Sequence, residues 1–403
     1  MSQKHHELVE RRVVVLGANG AEKTSVISAL LGQTGYEIAK SPVDCVRTTA
    51  EINGRKLTCI DTPGWWRNYS AVDTAEYIKR KLVLSVLECP PGPHAFLLVV
   101  NSEALFGEQE RRAVEQHVGL FGERIWERII VVFTSGEGQK TKSVEQYVED
   151  GGEALKWLMG RCGNRCHMLH SFQKGSQNEV SQLLAGIDEV VAKNTEPYFR
   201  CEGRKLQDVE EMRKADQKRA MFRMDMVDRK REKMNRREMV HSSPELRIVL
   251  LGWLFSGKTF AKNTILSLKE AIHRGRTTQS KRSSGTAVGR RISVVDTPGW
   301  FKHFPSQYLP DWVKAEIHGA LTLDGQHPHA ILLTVPVDTT FQEGHRKVIE
   351  DNMKMFGEQV WRHTMVLFTC GDLLGNSSIE EHIESEGAPL QWLVEVWKPI
   401  PRP

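Results

Sequence analysis

The chain has 403 residues, 40% of them hydrophobic and 26% charged, with a formal net charge of +4. That length suits two domains with real cores, the composition is that of a globular protein in water, and the small net charge gives no reason to expect a nucleic-acid partner. Seven scattered cysteines and no signal peptide ahead of Arg12 lead us to expect a reducing, cytoplasmic setting, and no apolar stretch approaches the roughly 20 residues that cross a bilayer.

In chain order, apolar runs of strand length alternate with helical patterns. They predict strands at Arg12–Gly17, Lys56–Asp61, Ala95–Val100, Arg128–Thr134 and Cys166–Leu169, and helices at Lys23–Leu31, Thr74–Leu87, Glu108–Leu120, Val144–Met159 and Asn178–Ala192. Such alternation reads as an α/β fold, a mainly parallel sheet with helices on both faces. "GANGAEKTS", Gly17 to Ser25, follows the first strand and matches the phosphate-loop pattern G-x-x-x-x-G-K-[ST] at Gly17, Lys23 and Thr24, but has Glu22 in place of the second glycine. The close pair Cys162 and Cys166 lacks the second pair or histidine doublet that a zinc site needs.

Leu206–Val240 has no glycine or proline and is dense in Arg, Lys, Asp and Glu, which predicts a long solvated helix. Its run "DRKREKMNRR" leaves peripheral contact with an acidic membrane open, although mixed signs favour a plain inter-domain helix. Beyond it the first pattern returns. "IVLLGWLFSGKT" from Ile248 answers "VVVLGANGAEKT" from Val13, "VVDTPGWF" answers "CIDTPGWW", and "PHAILLTV" answers "PHAFLLVV", all at an offset of 235. We therefore expect a first domain at 11–200, a linker at 201–245 and a second copy at 246–403 that ends before a last strand and helix.

The second phosphate loop is complete, with Gly252, Gly257, Lys258 and Thr259. The glycine lets backbone N–H groups approach phosphate oxygens, the lysine neutralises the terminal phosphates, and the threonine hydroxyl ligates magnesium. Asp296 of "DTPG" closes a strand at the same sheet end, where it can hold magnesium through water, and Gly299 can offer its N–H to a third phosphate. "FTCGD" holds Thr369 and Asp372 where a base-reading [NT]-K-x-D motif belongs; a carboxylate there accepts from the two donors of guanine, which favours GTP over ATP.

Together these residues resemble the GTPases of immunity-associated proteins, the GIMAP or IMAP family, with its avirulence-induced-gene type of G domain. "LFGERIWERIIVVFT" and "MFGEQVWRHTMVLFT" are the most particular part of the likeness. The resemblance implies two tandem Ras-like P-loop G domains in cytosolic or membrane-associated regulators of immune cells, which associate through their G domains. It also implies a switch threonine, which falls on Thr277 in the second copy and on Pro42 in the first, and a last motif that falls on His170. Trp65 and Trp300 stand where Ras-like hydrolases place a water-orienting glutamine.

The nucleotide-binding candidates are thus Gly252, Phe255, Ser256, Gly257, Lys258, Thr259, Phe260, Thr277, Asp296, Gly299, Thr369 and Asp372 in the second copy. In the first they are Gly17, Gly20, Lys23, Thr24, Ser25, Asp61, Gly64, Thr134, Glu137 and His170, with Glu137 replacing the base-reading aspartate. Thr259, Thr277 and Asp296 are the metal candidates, and no residue stands out as a catalytic base. Two functions are expected from this set: a switch that binds GTP or GDP with magnesium and hydrolyses slowly, or a scaffold of degenerate G domains that holds little nucleotide.

Overall fold

The computed structural model describes residues 9–32, 42–52, 54–135, 144–169, 177–201, 203–236, 245–269, 276–287, 289–322 and 327–395. The chain divides into two compact units, 1–215 and 216–403.

Unit 1 runs β1 (Val9–Gly17), α1 (Lys23–Leu31), β2 (Val46–Ile52), β3 (Arg55–Asp61), α2 (Glu76–Leu84), β4 (Ala95–Asn101), α3 (Glu108–Gly119), β5 (Ile129–Thr134), α4 (Val144–Asp150), α5 (Gly152–Arg161), β6 (Cys166–Leu169) and α6 (Gln177–Lys193). Its sheet has the order β2-β3-β1-β4-β5-β6, parallel except for β2. Val13, Val14 and Val15 are fully buried, as a strand covered on both faces requires. On one face α6 adds Leu183, Leu184, Ile187 and Val190 to the core formed with α1, and Asp188 of α6 pairs with Arg11 of β1 and Arg55 of β3.

Two features of unit 1 differ from the sequence reading. The antiparallel strand β2, "VRTTAEI", was not expected: it is an edge strand, largely exposed, so its residues carry no core pattern. The single helix expected at Val144–Met159 is broken between α4 and α5, where Gly152 turns to a φ of 69°.

Helix α7 (Gly203–Arg236) carries i,i+4 pairs such as Lys214 with Glu210 and Arg229 with Asp225. Its second half, expected to be solvated, packs within unit 2. Ala220 is buried, and Arg219 and Arg223 both reach the buried Glu384 carboxylate, at 3.2 and 2.6 Å.

Unit 2 continues with β7 (Glu245–Leu251), α8 (Lys258–Ile265), β8 (Lys281–Ala287), β9 (Arg290–Asp296), α9 (Asp311–Leu321), β10 (Ala330–Pro336), α10 (Glu343–Lys354), β11 (Thr364–Thr369), α11 (Ile379–Glu386) and α12 (Ala388–Glu395). The order β11-β10-β7-β9-β8 repeats that of unit 1 up to β11, again parallel except for one edge strand. Among the described residues nothing corresponds to β6 and α6. Met365 of β11 is 48% exposed, and Leu332 and Leu367, on the face that α6 covers in unit 1, are only half-buried. Each unit has the fold of a Ras-like G domain. Among the described residues no helix is long and apolar enough to cross a membrane.

Candidate nucleotide-binding site

In both units the first strand runs into the phosphate loop, and the loop delivers its lysine as the first residue of the next helix. Lys258 Nζ donates to the carbonyls of Gly252 and Trp253 at 3.3 and 2.8 Å; Lys23 Nζ donates to those of Gly17 and Ala18, both at 3.2 Å. Burial pulls both ammonium groups down to about 8 against the attraction of Asp296 and Asp61. A buried cation with so little compensating charge is a ready partner for phosphate. Thr259 Oγ1 donates to Asp296 Oδ2 at 2.7 Å, and Thr24 Oγ1 to Asp61 Oδ2 at 2.6 Å. The other carboxylate oxygen, Oδ1, is buried without a hydrogen-bond partner in both aspartates. Burial also pushes the Asp61 carboxyl above its usual range, against Thr24 and Lys23. A hydroxyl beside an orphaned carboxylate oxygen fits a hydrated magnesium ion, a hard cation that keeps most of its waters.

The turns after the aspartates are tied to both strand and loop. Thr297 Oγ1 donates to the Leu250 carbonyl at 2.6 Å, as Thr62 does to Val15 at 2.7 Å. The N–H of Leu254 donates to the Trp300 carbonyl at 2.7 Å, and that of Asn19 to Trp65 at 2.8 Å. Gly299 lies so close that a Cβ there would sit 2.6 Å from Leu254 N and 2.7 Å from Lys258 Nζ, so only glycine fits. Both tryptophan side chains are buried. Trp65 is 2% exposed and stacks on His117 at 4.6 Å, and Trp300 is fully buried. At the glutamine position each ring is thus held in the core, where its large apolar area is buried.

The second loop is less regular than its motif suggests. Phe255, 79% exposed, has a φ of 61°, while its counterpart Gly20 has 76°. At the next left-handed position the order reverses: Glu22 has a φ of 69° and Gly257 has 86°. Each loop thus carries one side chain where the backbone favours glycine, at a cost on the order of 1–3 kcal/mol. Thr369 packs on Gly257 and donates from Oγ1 to the Ser256 carbonyl at 2.8 Å, where a Cβ on Gly257 would sit 2.9 Å from Thr369. The corresponding Thr134 donates to Ala21 at 3.4 Å. Burial and the nearby Glu103 raise the Glu22 carboxyl, against a hydrogen bond from Thr134.

Asp372 is exposed in a short helical turn after Thr369. Phe260 is 57% exposed on α8, Ser25 is half-buried on α1, and Thr277 is half-buried ahead of β8. Ser256 shares a 2.5 Å hydrogen bond with Thr334 of β10, a residue that no motif marks. Glu137 and His170 lie outside the described residues.

The AIG1 family model matches residues 11–219 and 246–399. The chain is 25% identical over 392 residues to mouse (Mus musculus) GTPase IMAP family member 8, covering 94% of this chain and 54% of that protein. It is 28% identical over 203 residues to immune-associated nucleotide-binding protein 9 of Arabidopsis thaliana, covering 47% of this chain and 58% of that one. It thus spans about half the length of the first of these relatives and somewhat more of the second. Among solved structures, Toc33 from Arabidopsis thaliana in complex with GDP and Mg2+ matches 47% of this chain and 87% of its own, with 16% identity and a TM-score of 0.38. With the family model covering both units, and a phosphate loop and DTPG turn in each, the chain belongs to the AIG1 family of GTP-binding G domains.

Proposed function

We propose that the chain is a guanine-nucleotide switch that binds GTP or GDP with magnesium chiefly in unit 2, and that its output is G-domain association. The observation that carries this reading is the pair of buried residues Lys258 and Asp296 with the half-buried Thr259, Asp296 Oδ1 being left without a partner. Lys258 would face the terminal phosphates, Thr259 and Asp296 would hold the ion, with Thr277 as a further ligand, and Asp372 would read guanine. Bound magnesium neutralises phosphate charge, and Gly257 keeps the loop free of a Cβ that would sit 2.9 Å from Thr369. Unit 1 repeats the lysine, threonine and aspartate, but Glu22 adds a carboxylate and a strained φ. Hydrolysis would be slow, because Trp300 is buried and a glutamine in its place would orient water. A residue from a facing domain could complete the site, so turnover should rise with protein concentration.

A scaffold that holds little nucleotide is the second reading. It is favoured by the tight docking of each DTPG turn on its loop through Leu254 and Asn19. Chromatography of the nucleotide released from the purified protein decides between them: guanine nucleotide near one equivalent supports the switch, and none overturns it.

A further inference from the structure

A partly open cavity of about 230 Å³ lies against the phosphate loop of unit 1, bordered by Gly20 of that loop but not by Lys23, Thr24 or Asp61. Ala18 forms one wall, Trp65 and Arg67 a second, and Phe106, Glu110 and Val114 a third. In unit 2 the corresponding space is filled from within. The counterpart of Ala18 is Trp253, whose side chain is 4% exposed. Its ring lies 6.3 Å from Phe341 at an interplanar angle of 29° and 6.3 Å from His345, with the Lys302 ammonium 5.5 Å from its centre. Phe341, His345 and Lys302 stand 235 positions after Phe106, Glu110 and Arg67.

The backbone around the two positions is the same. Ala18 bridges to Trp65 as Trp253 bridges to Trp300, and the neighbouring N–H bonds measure 2.8 and 2.7 Å. Unit 1 therefore keeps the walls of an indole-binding slot and lacks the indole. The opening exceeds the roughly 150 Å³ of an apolar cavity that takes up benzene.

We propose that this slot is a ligand site for a planar aromatic molecule of about an indole's size bearing a ring N–H. Phe106 and Val114 offer apolar contact to its faces, and Arg67 stands where Lys302 lies over the indole of unit 2. Glu110, in place of His345, supplies an acceptor for the N–H. It already accepts from the Gly107 N–H at 3.0 Å and pairs with Arg67 at 3.3 Å, but a carboxylate has about four acceptor positions. The proposal does not rest on nucleotide binding.

The test is titration of the full chain with fluorinated indole, followed by fluorine NMR and by the methyl signals of Ala18 and Val114, with and without GDP and magnesium. We expect one saturable site that shifts both methyls. Ala18→Trp and Val114→Phe, which fill the slot from opposite walls, should each weaken binding at least about tenfold, and Trp253→Ala should open a second site. If Ala18→Trp does not fold, Val114→Phe carries the test alone. Unchanged affinity in the folded filling variants, or no saturable binding that shifts Ala18, overturns the proposal.

Discussion

At one left-handed position of the phosphate loop unit 1 has Gly20 and unit 2 has Phe255; at the next, Glu22 faces Gly257. Backbone and buried lysine are shared, so the two loops differ in where a side chain is forced into a glycine conformation. Phe255 is 79% exposed and points outward, whereas Glu22 is half-buried and holds its carboxylate near Thr134 and Glu103. Local backbone strain alone therefore does not distinguish the units; the charge and direction of the strained side chain do.

The strongest way to break this comparison is to exchange the residues. Gly257→Glu should lower nucleotide affinity at least about 100-fold, because it adds a buried like charge, a φ penalty and a clash with Thr369. Lys258→Ala should act similarly, while Lys23→Ala changes total binding little. Glu22→Gly should raise affinity in unit 1 by about tenfold or more. Titration of each variant with fluorescent GDP measures all four, and an effect of Lys23→Ala larger than that of Lys258→Ala would reverse the assignment.

Acid should separate the units next. Burial holds His94 and His117 of unit 1, and His382 of unit 2, at about 4, so the folded protein keeps them neutral. The unfolded chain takes up those protons from about pH 6.5 downward, so stability is full above that value and is lost as pH falls toward 4. Each histidine contributes a loss of up to about 1.4 kcal/mol per pH unit. Asn352 replaces His117 in unit 2, and His329, the counterpart of His94, is exposed. Unit 1 should therefore lose protection first in hydrogen exchange between pH 6.5 and 4.5; equal losses would show that these histidines do not set acid stability.

At neutral pH the order should invert at the sheet edge. Amides of β11, the last strand of its sheet, should exchange faster than those of β5, which has β6 beside it, by about tenfold or more. Equal protection would mean that β11 is covered. The smallest effect is expected for Phe255→Gly, which relieves the left-handed φ and should stabilise unit 2 by about 1 kcal/mol or less in denaturant unfolding, since glycine also gains freedom in the unfolded chain. A loss of stability would show that the exposed ring packs on something.

The sequence by itself determined the duplication, the order of the main strands, and the placing of Lys258, Thr259 and Asp296 at one sheet end. These depend on chain-local signals: continuous apolar runs give buried strands, and loops at their carboxyl ends share an edge. Tertiary structure decided the rest. Strand β2 has no apolar pattern because its pairing is made through backbone groups at an exposed edge. The left-handed φ of Phe255 escapes a pattern that specifies only the glycine before the lysine. Trp65 and Trp300 stand in the sequence where a water-orienting glutamine would belong, but where a side chain packs depends on its surroundings, and α3 supplies His117 as a partner for Trp65. Ala18 and Trp253 look like neutral variation within a loop. Only the folded chain, by bringing Phe106 and Phe341 to the same place beside them, makes one an opening and the other its plug.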